Sequence, residues 1–282
     1  MNNFKKMGKY AQLVVGPAGS GKSTYCHTMQ EHANNTKRIV HVVNLDPAAE
    51  QYKYQCAFDI RDLVTLEDVM EEFQLGPNGG LVYCMEYLMQ NLDDWFADEL
   101  SDYEDDYIIF DCPGQIELYS HVPIMQLFVK ELERRGYRVC TVYCMDVQFI
   151  EDVTKYISGI TQALSSMIQF ETPHVNILTK CDTVKEKSER AKLLQKLRVP
   201  DKLELLDSLE RETNPHQKNI SFSRLNNAIV SLIDNFNMVG FIELDISEED
   251  SINYVLSYVD MTIQFGEDEE AKDPKDEEQT EE

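Results

Sequence analysis

The chain of 282 residues is 43% hydrophobic, enough to build one large α/β domain or two small ones, and carries a formal net charge of −25. That charge repels nucleic acid and anionic membranes, so no polynucleotide partner held through its phosphates is expected, and a small anionic ligand requires a local positive site. No run of about 18 apolar residues is present to span a bilayer, and MNNFKKMGKY lacks the apolar stretch of a secretory signal; an N-terminal glycine signal and a prenylation cysteine are also missing.

The first strand is predicted at 10–15 (YAQLVV) and leads directly into Gly16-Pro17-Ala18-Gly19-Ser20-Gly21-Lys22-Ser23, a full match to G-x-x-x-x-G-K-[ST]. A helix is predicted to follow at 23–32, which completes the strand–loop–helix context the motif needs. Glycines let backbone N–H groups curl around phosphate oxygens, and the helix N-terminus adds positive dipole. The backbone of Gly19, Ser20 and Gly21, with Thr24 at the helix start, is assigned to the phosphates. Lys22 is assigned to the β- and γ-phosphates, and the Ser23 hydroxyl to Mg²⁺. This is the local positive site that an acidic chain needs for a nucleoside triphosphate.

A second strand at 38–45 (RIVHVVNL) ends in Asn44-Leu45-Asp46-Pro47. Asp46 there is either a turn residue or a carboxylate near the γ-phosphate. Because a free aspartate is a weak base at neutral pH, orienting water is expected of it rather than abstracting a proton. A helix at 65–73 opens with the capping-box-like Thr65-x-x-Asp68. Gly76-Pro77-Asn78-Gly79-Gly80 then reads as a turn that presents one asparagine, before a helix at 81–92.

The third strand, 107–110 (YIIF), runs into Asp111-Cys112-Pro113-Gly114-Gln115. Asp111 can hold Mg²⁺ through water or cap a helix; paired with the upstream loop, the metal role is the better reading. Gly114 is then expected to offer its N–H to the γ-phosphate, and Gln115 to orient the attacking water. Helices at 121–135 and 151–170 flank a strand at 138–145 (RVCTVYCM). The strand at 174–178 (HVNIL) ends in Thr179-Lys180-Cys181-Asp182, which resembles N-K-x-D with threonine in first place. Asp182 can accept from the ring N–H and exocyclic amine of guanine together, whereas adenine has no such donor pair. The Lys180 stem is expected along the base.

From 183 to 237 the chain reads as a charged, helical insertion whose stretch 185–198 is locally basic, either a solvated face or a binding face. A last strand is predicted at 240–244 (GFIEL), and the acidic segment 267–282 reads as a disordered tail. The P-loop GTPase domain is accordingly placed at 1–266. Near-continuous apolar strands alternating with helices imply an α/β P-loop NTPase fold, a mostly parallel sheet with helices on both faces. The seven cysteines are odd in number and unpaired in spacing, with Cys112, Cys140, Cys144 and Cys181 in apolar runs. They read as reduced, buried thiols of a cytosolic protein, and neither they nor the six histidines form a metal-ligand pattern.

In this order the P-loop, NLDPAAE, DIRDLVTLEDVMEEFQLGPNGGLVYCMEYL, DCPGQIELYSH and TKCD resemble the GPN-loop GTPases, from about residue 10 to 266. NLDPAAE, GPAGSGKST and the short acidic end are most similar to the third eukaryotic branch of that family. The resemblance implies GTP hydrolysis with Mg²⁺ and a homodimer or a heterodimer with a paralogue. It also implies a role with RNA polymerase II subunits in assembly and nuclear import, hence a cytoplasmic protein that shuttles to the nucleus. The GPN motif maps onto Gly76, Pro77 and Asn78, with the asparagine acting across the dimer in the partner's site, and the water-positioning residues map onto Asp46 and Gln115. Two other readings remain at this point. One is an assembly chaperone or scaffold that binds GTP with little turnover; the other is a small-molecule kinase, which the lack of an arginine-rich lid disfavours.

Overall fold

The computed structural model of the protein describes residues 8–103, 106–120, 122–184, 205, 220–235 and 239–267. Seven strands form one sheet: β1 Lys9–Val15, β2 Val40–Asn44, β3 Cys56–Asp59, β4 Tyr107–Asp111, β5 Tyr137–Asp146, β6 His174–Thr179 and β7 Phe241–Glu243. Their order is β3-β2-β4-β1-β5-β6-β7 and every pairing is parallel. Parallel strands need both faces covered, and β1 and β4 are apolar along almost their whole length for that reason.

On one face α1 (Lys22–Asn35) buries Tyr25, Cys26, Met29 and Ala33 beside α9 (Glu249–Thr262). Helix α9 contributes Ile252, Val255, Leu256 and Val259, a spacing that lines one side of a helix. The opposite face carries α3 (Pro77–Gln90), α4 (Trp95–Ser101), α6 (Ile124–Arg134) and α7 (Val153–Phe170), packed around Phe96, Phe110 and Phe128. Each such fully buried apolar side chain contributes roughly 1.5–3 kcal/mol. Helices α2 (Leu66–Phe73), α5 (Glu117–Ser120) and α8 (Ile220–Asn235) complete the described elements.

The sheet with helices on both faces matches the sequence expectation, and so do the strands predicted around 10–15, 107–110, 138–145, 174–178 and 240–244. Strand β3 and helices α4 and α9 were not anticipated. Thr65 caps α2 as expected: its Oγ1 accepts from the Asp68 backbone N–H at 3.2 Å. Of the predicted insertion, α8 is described; the rest of it lies, apart from a few residues, outside the described residues, as do the basic stretch 185–198 and the acidic tail beyond 267. All seven cysteines are free and six are buried, with Cys56 half-buried.

At the sheet edge opposite the strands' C-terminal ends, Arg38 joins the start of β2 to α9. Its guanidinium bonds both oxygens of Asp260, at 2.5 and 2.9 Å, and lies 4.4 Å from the Tyr107 ring and 4.0 Å from the Phe265 ring. The Gly266 N–H donates to the Tyr10 hydroxyl at 3.2 Å, so the two ends of the described fold meet at that edge.

Candidate nucleotide-binding site

The C-terminal ends of β1, β2, β4 and β6 gather the residues singled out in the sequence at one edge of the sheet. In an open α/β sheet that edge is where ligands bind. The loop after β1 bends through Gly16 (φ 139°), Gly19 (φ 74°) and Gly21 (φ 88°), which caps α1 in the left-handed conformation. A Cβ on Gly16 would sit 2.3 Å from the Cys144 carbonyl oxygen, so only glycine fits there. Lys22 is buried, and its ammonium donates to the carbonyls of Gly16 and Pro17, both at 3.2 Å, inside the curl of the loop. Ser20, Ser23 and Thr24 follow on the loop and the first turn of α1.

Asp111 is the last residue of β4 and is almost fully buried. Its Oδ2 accepts from the Tyr54 hydroxyl at 3.0 Å, while its Oδ1 is buried without a hydrogen-bond partner. Burial pushes the Asp111 carboxyl up; the Ser23 hydroxyl and the charge of Lys22 oppose that shift. A buried carboxylate oxygen lacking a partner, next to a serine hydroxyl, is an oxygen donor set suited to a hard cation such as Mg²⁺. The residues therefore fit the metal that the motif implies.

Asp46 stands two residues beyond β2. Its Oδ1 accepts from the Ala48 N–H at 2.9 Å, and its backbone exchanges hydrogen bonds with the Asn44 amide, both at 3.1 Å. Burial raises the Asp46 carboxyl, against the pull of the Ala48 N–H and the charges of Lys22 and Arg61. The carboxylate thus shares an electrostatic neighbourhood with Lys22 and Asp111.

Gly114 packs on the phosphate loop so closely that a Cβ there would lie 2.8 Å from Cα of Ala18. Next to it, Gln115 donates from Nε2 to Oδ1 of Asn78 at 2.7 Å. The expectation of a free-standing GPNGG turn is corrected here. Gly76 is the N-cap of α3, Pro77 its first residue, and Asn78 through Gly80 its first turn. Proline is well suited to that position because its missing N–H would have had no partner anyway and its φ is already helical. Asn78 is therefore held on a helix end rather than a mobile loop.

At the end of β6 the Thr179 hydroxyl donates to the Ser20 carbonyl at 2.6 Å and lies 3.1 Å from the Met145 carbonyl. The residue that departs from N-K-x-D therefore ties that strand to the phosphate loop. Lys180 has a left-handed backbone (φ 62°), and its ammonium reaches Asp146 at 2.6 Å. Cys181 is buried and Asp182 exposed, beside the segment after β7, whose Leu244 carbonyl accepts the Cys181 N–H at 3.3 Å.

Sequence reasoning missed the frame behind these groups. Asp59 accepts from Asn44 at 2.8 Å, from the Tyr52 hydroxyl at 2.6 Å and from Arg61 at 2.7 Å. Arg61 also donates to the Ala49 carbonyl at 2.8 Å, and these partners hold the Asp59 carboxyl below the usual range despite its burial. The only available signal was an aspartate and an arginine two residues apart at the end of a short apolar run.

Among the described residues no helix is long and apolar enough to cross a membrane, and no group of three or more His, Cys, Asp or Glu could hold a metal. Residues 14–265 match the model of a family described as "conserved hypothetical ATP binding protein". The chain is 52% identical to GPN-loop GTPase 3 of Dictyostelium discoideum over 95% of this chain and 92% of that protein. It is 51% identical to GPN-loop GTPase 3 of Mycosarcoma maydis, covering 96% and 97%. With GPN-loop GTPase 3 of Danio rerio it shares 48% identity, covering 96% and 93%. The crystal structure of a GTPase from Pyrococcus abyssi in its apo form superposes with a TM-score of 0.72 at 22% identity, covering 92% of this chain and 98% of that one. This last likeness concerns the fold.

Proposed function

Because this chain belongs to the GPN-loop GTPase family, whose GPN-loop GTPase 3 members it matches over nearly its whole length, we propose that it is a GTPase whose Mg²⁺-dependent turnover switches a dimer between two arrangements. The observation that carries the reading is the convergence of Lys22, Ser23, Asp46 and Asp111 at one edge of the sheet, with the phosphate loop tied through Thr179 to the strand that leads into Asp182. Ser23 and Asp111 would hold Mg²⁺, which supplies charge neutralisation of the phosphates. Lys22 binds the β- and γ-phosphates, Asp46 and Gln115 orient water, and Gly114 offers its N–H at the loop it packs against. Asp182 selects guanine, which favours GTP over the ATP of the family model's description.

The finer part of the reading concerns assembly. Two-fold symmetry would let the Asn78 amide of each subunit serve the site of its partner, a preorganised donor in the place an arginine finger takes elsewhere. By resemblance the switch serves assembly of RNA polymerase II and its nuclear import. A reading as a binding factor with slow turnover is favoured by one observation: Tyr254, Tyr258 and Met261 are exposed on one side of α9.

Calorimetry with GTP and Mg²⁺, paired with steady-state phosphate release, tests the reading. Binding is expected for the full chain and its loss for Lys22→Ala. No heat with GTP and magnesium would remove the proposal; binding without measurable turnover would leave the factor reading in its place.

A further inference from the structure

We propose that Tyr54 is a positioning residue for the magnesium-holding carboxylate of Asp111, an inference that rests on the nucleotide-site reading above. Asp111 has two oxygens and one buried hydrogen bond from a neighbouring phenol. The Tyr54 hydroxyl engages Oδ2 at 3.0 Å, while Oδ1 has no partner at hydrogen-bonding geometry, although the Ser23 hydroxyl is near enough to favour the charged carboxylate. A carboxylate fixed through one oxygen cannot rotate freely, so the other oxygen is presented in one direction. Partners behind a metal ligand commonly set its orientation and basicity in this way.

Tyr54 is itself held. Its ring stacks on Tyr52 with centroids 4.4 Å apart and planes within 6°. The Tyr52 hydroxyl donates to Asp59 at 2.6 Å and accepts from Arg61 at 2.9 Å, and the Arg61 guanidinium sits 5.1 Å from the Tyr52 ring. Asp59 in turn holds the Asn44 amide at 2.8 Å, and that amide fixes the backbone of Asp46. One frame thus runs from the water-orienting aspartate to the metal-holding one, through the segment between β2 and β3. Nothing in the P-loop, D-x-x-G or guanine motifs assigns these tyrosines. Tyr54 is 4% exposed, and its hydroxyl donates to the buried Asp111 carboxylate.

The experiment uses the full chain loaded with a fluorescent GDP analogue and follows nucleotide release as magnesium is titrated. Tyr54→Phe keeps the ring and removes the hydroxyl. Its magnesium midpoint is expected to move about tenfold higher, the lower end of the effect of removing such a partner, while GDP affinity in saturating magnesium stays as in the unaltered chain. A role confined to folding would lower the melting temperature without moving that midpoint, and an unmoved midpoint overturns the proposal. If Tyr54→Phe does not fold, Tyr52→Leu removes the backing ring and leaves the phenol. A smaller shift in the same direction is expected of it, and none would count against the frame. If the unaltered chain holds no GDP, or holds it without regard to magnesium, the site reading itself falls, which distinguishes that failure from a failure of Tyr54 alone.

Discussion

Gln115 and Asn78, 37 residues apart in one chain, are joined amide to amide at 2.7 Å. The segment that follows β4 and the first turn of α3 are therefore linked directly, side chain to side chain. In the proposed function, this bond would join the water-orienting glutamine to the asparagine offered to a partner subunit.

Asn78→Ala is expected to lower kcat by about 10²-fold, the usual loss for one oxyanion-type donor, with GTP affinity unchanged. Mixed with Lys22→Ala chains, it should regain turnover above the sum of the two alone. Each mixed dimer would then hold one site with an intact lysine and an intact asparagine from its neighbour. Phosphate release that stays additive would assign Asn78 to its own chain's site.

Thr179→Val removes a buried hydroxyl that bonds the Ser20 carbonyl at 2.6 Å. Leaving that carbonyl unpaired costs about 1–3 kcal/mol, read as a lower urea midpoint. GTP affinity should fall as well, because the phosphate loop loses its tie to β6. A stability loss with unaltered affinity would make the bond purely structural.

Asp182→Asn exchanges an acceptor pair for an amide that suits xanthine in place of guanine. GTP binding is expected to weaken at least tenfold and xanthosine triphosphate to become the better ligand. Competition binding reads the ratio directly, and an unchanged ratio would remove Asp182 from base selection.

Stability should fall in mild acid through His174. Burial lowers its pKa to about 4, and neither ring nitrogen has a partner at hydrogen-bonding geometry, although Asn176 lies near enough to favour the charged form slightly. The folded value is below the ordinary 6.5 or so, so the unfolded chain takes up a proton that the folded chain refuses. The contribution is complete above pH 6.5 and is lost as pH falls toward 4, on the order of 2–3 kcal/mol. His174→Phe should flatten that part of the pH dependence in denaturant midpoints between pH 7 and 4.5. Parallel curves would assign the acid loss to other groups.

The phosphate loop was legible because its glycines, lysine and serine sit at fixed spacing between a strand and a helix, and the same holds for the strand-end positions of Asp46, Asp111 and Asp182. The apolar β1 and β4 declared themselves through composition. Strand β3 did not: CAFD is four residues at a sheet edge, half-buried, and ends in a charge. GPNGG looked like a turn because glycine and proline punctuate loops, yet the same residues serve a helix start when proline takes the first helical position. The stripe Ile252, Val255, Leu256, Val259 in α9 was present in the sequence with helical spacing and two acids in the first turn; its signal was available and unread. Tyr54, Tyr52 and Arg61 form their frame only through three-dimensional proximity, so no linear pattern marks them.

The meeting of Tyr10 with Gly266 has a practical reading. Strand β1 enters at that corner and exits seven residues later at the phosphate loop, which at about 3.3 Å per residue puts the corner roughly 20 Å from Lys22. A fluorophore or affinity handle attached just past Glu267 would leave from the far rim of the sheet. It could watch what the protein meets there without shading the cleft where nucleotide is expected.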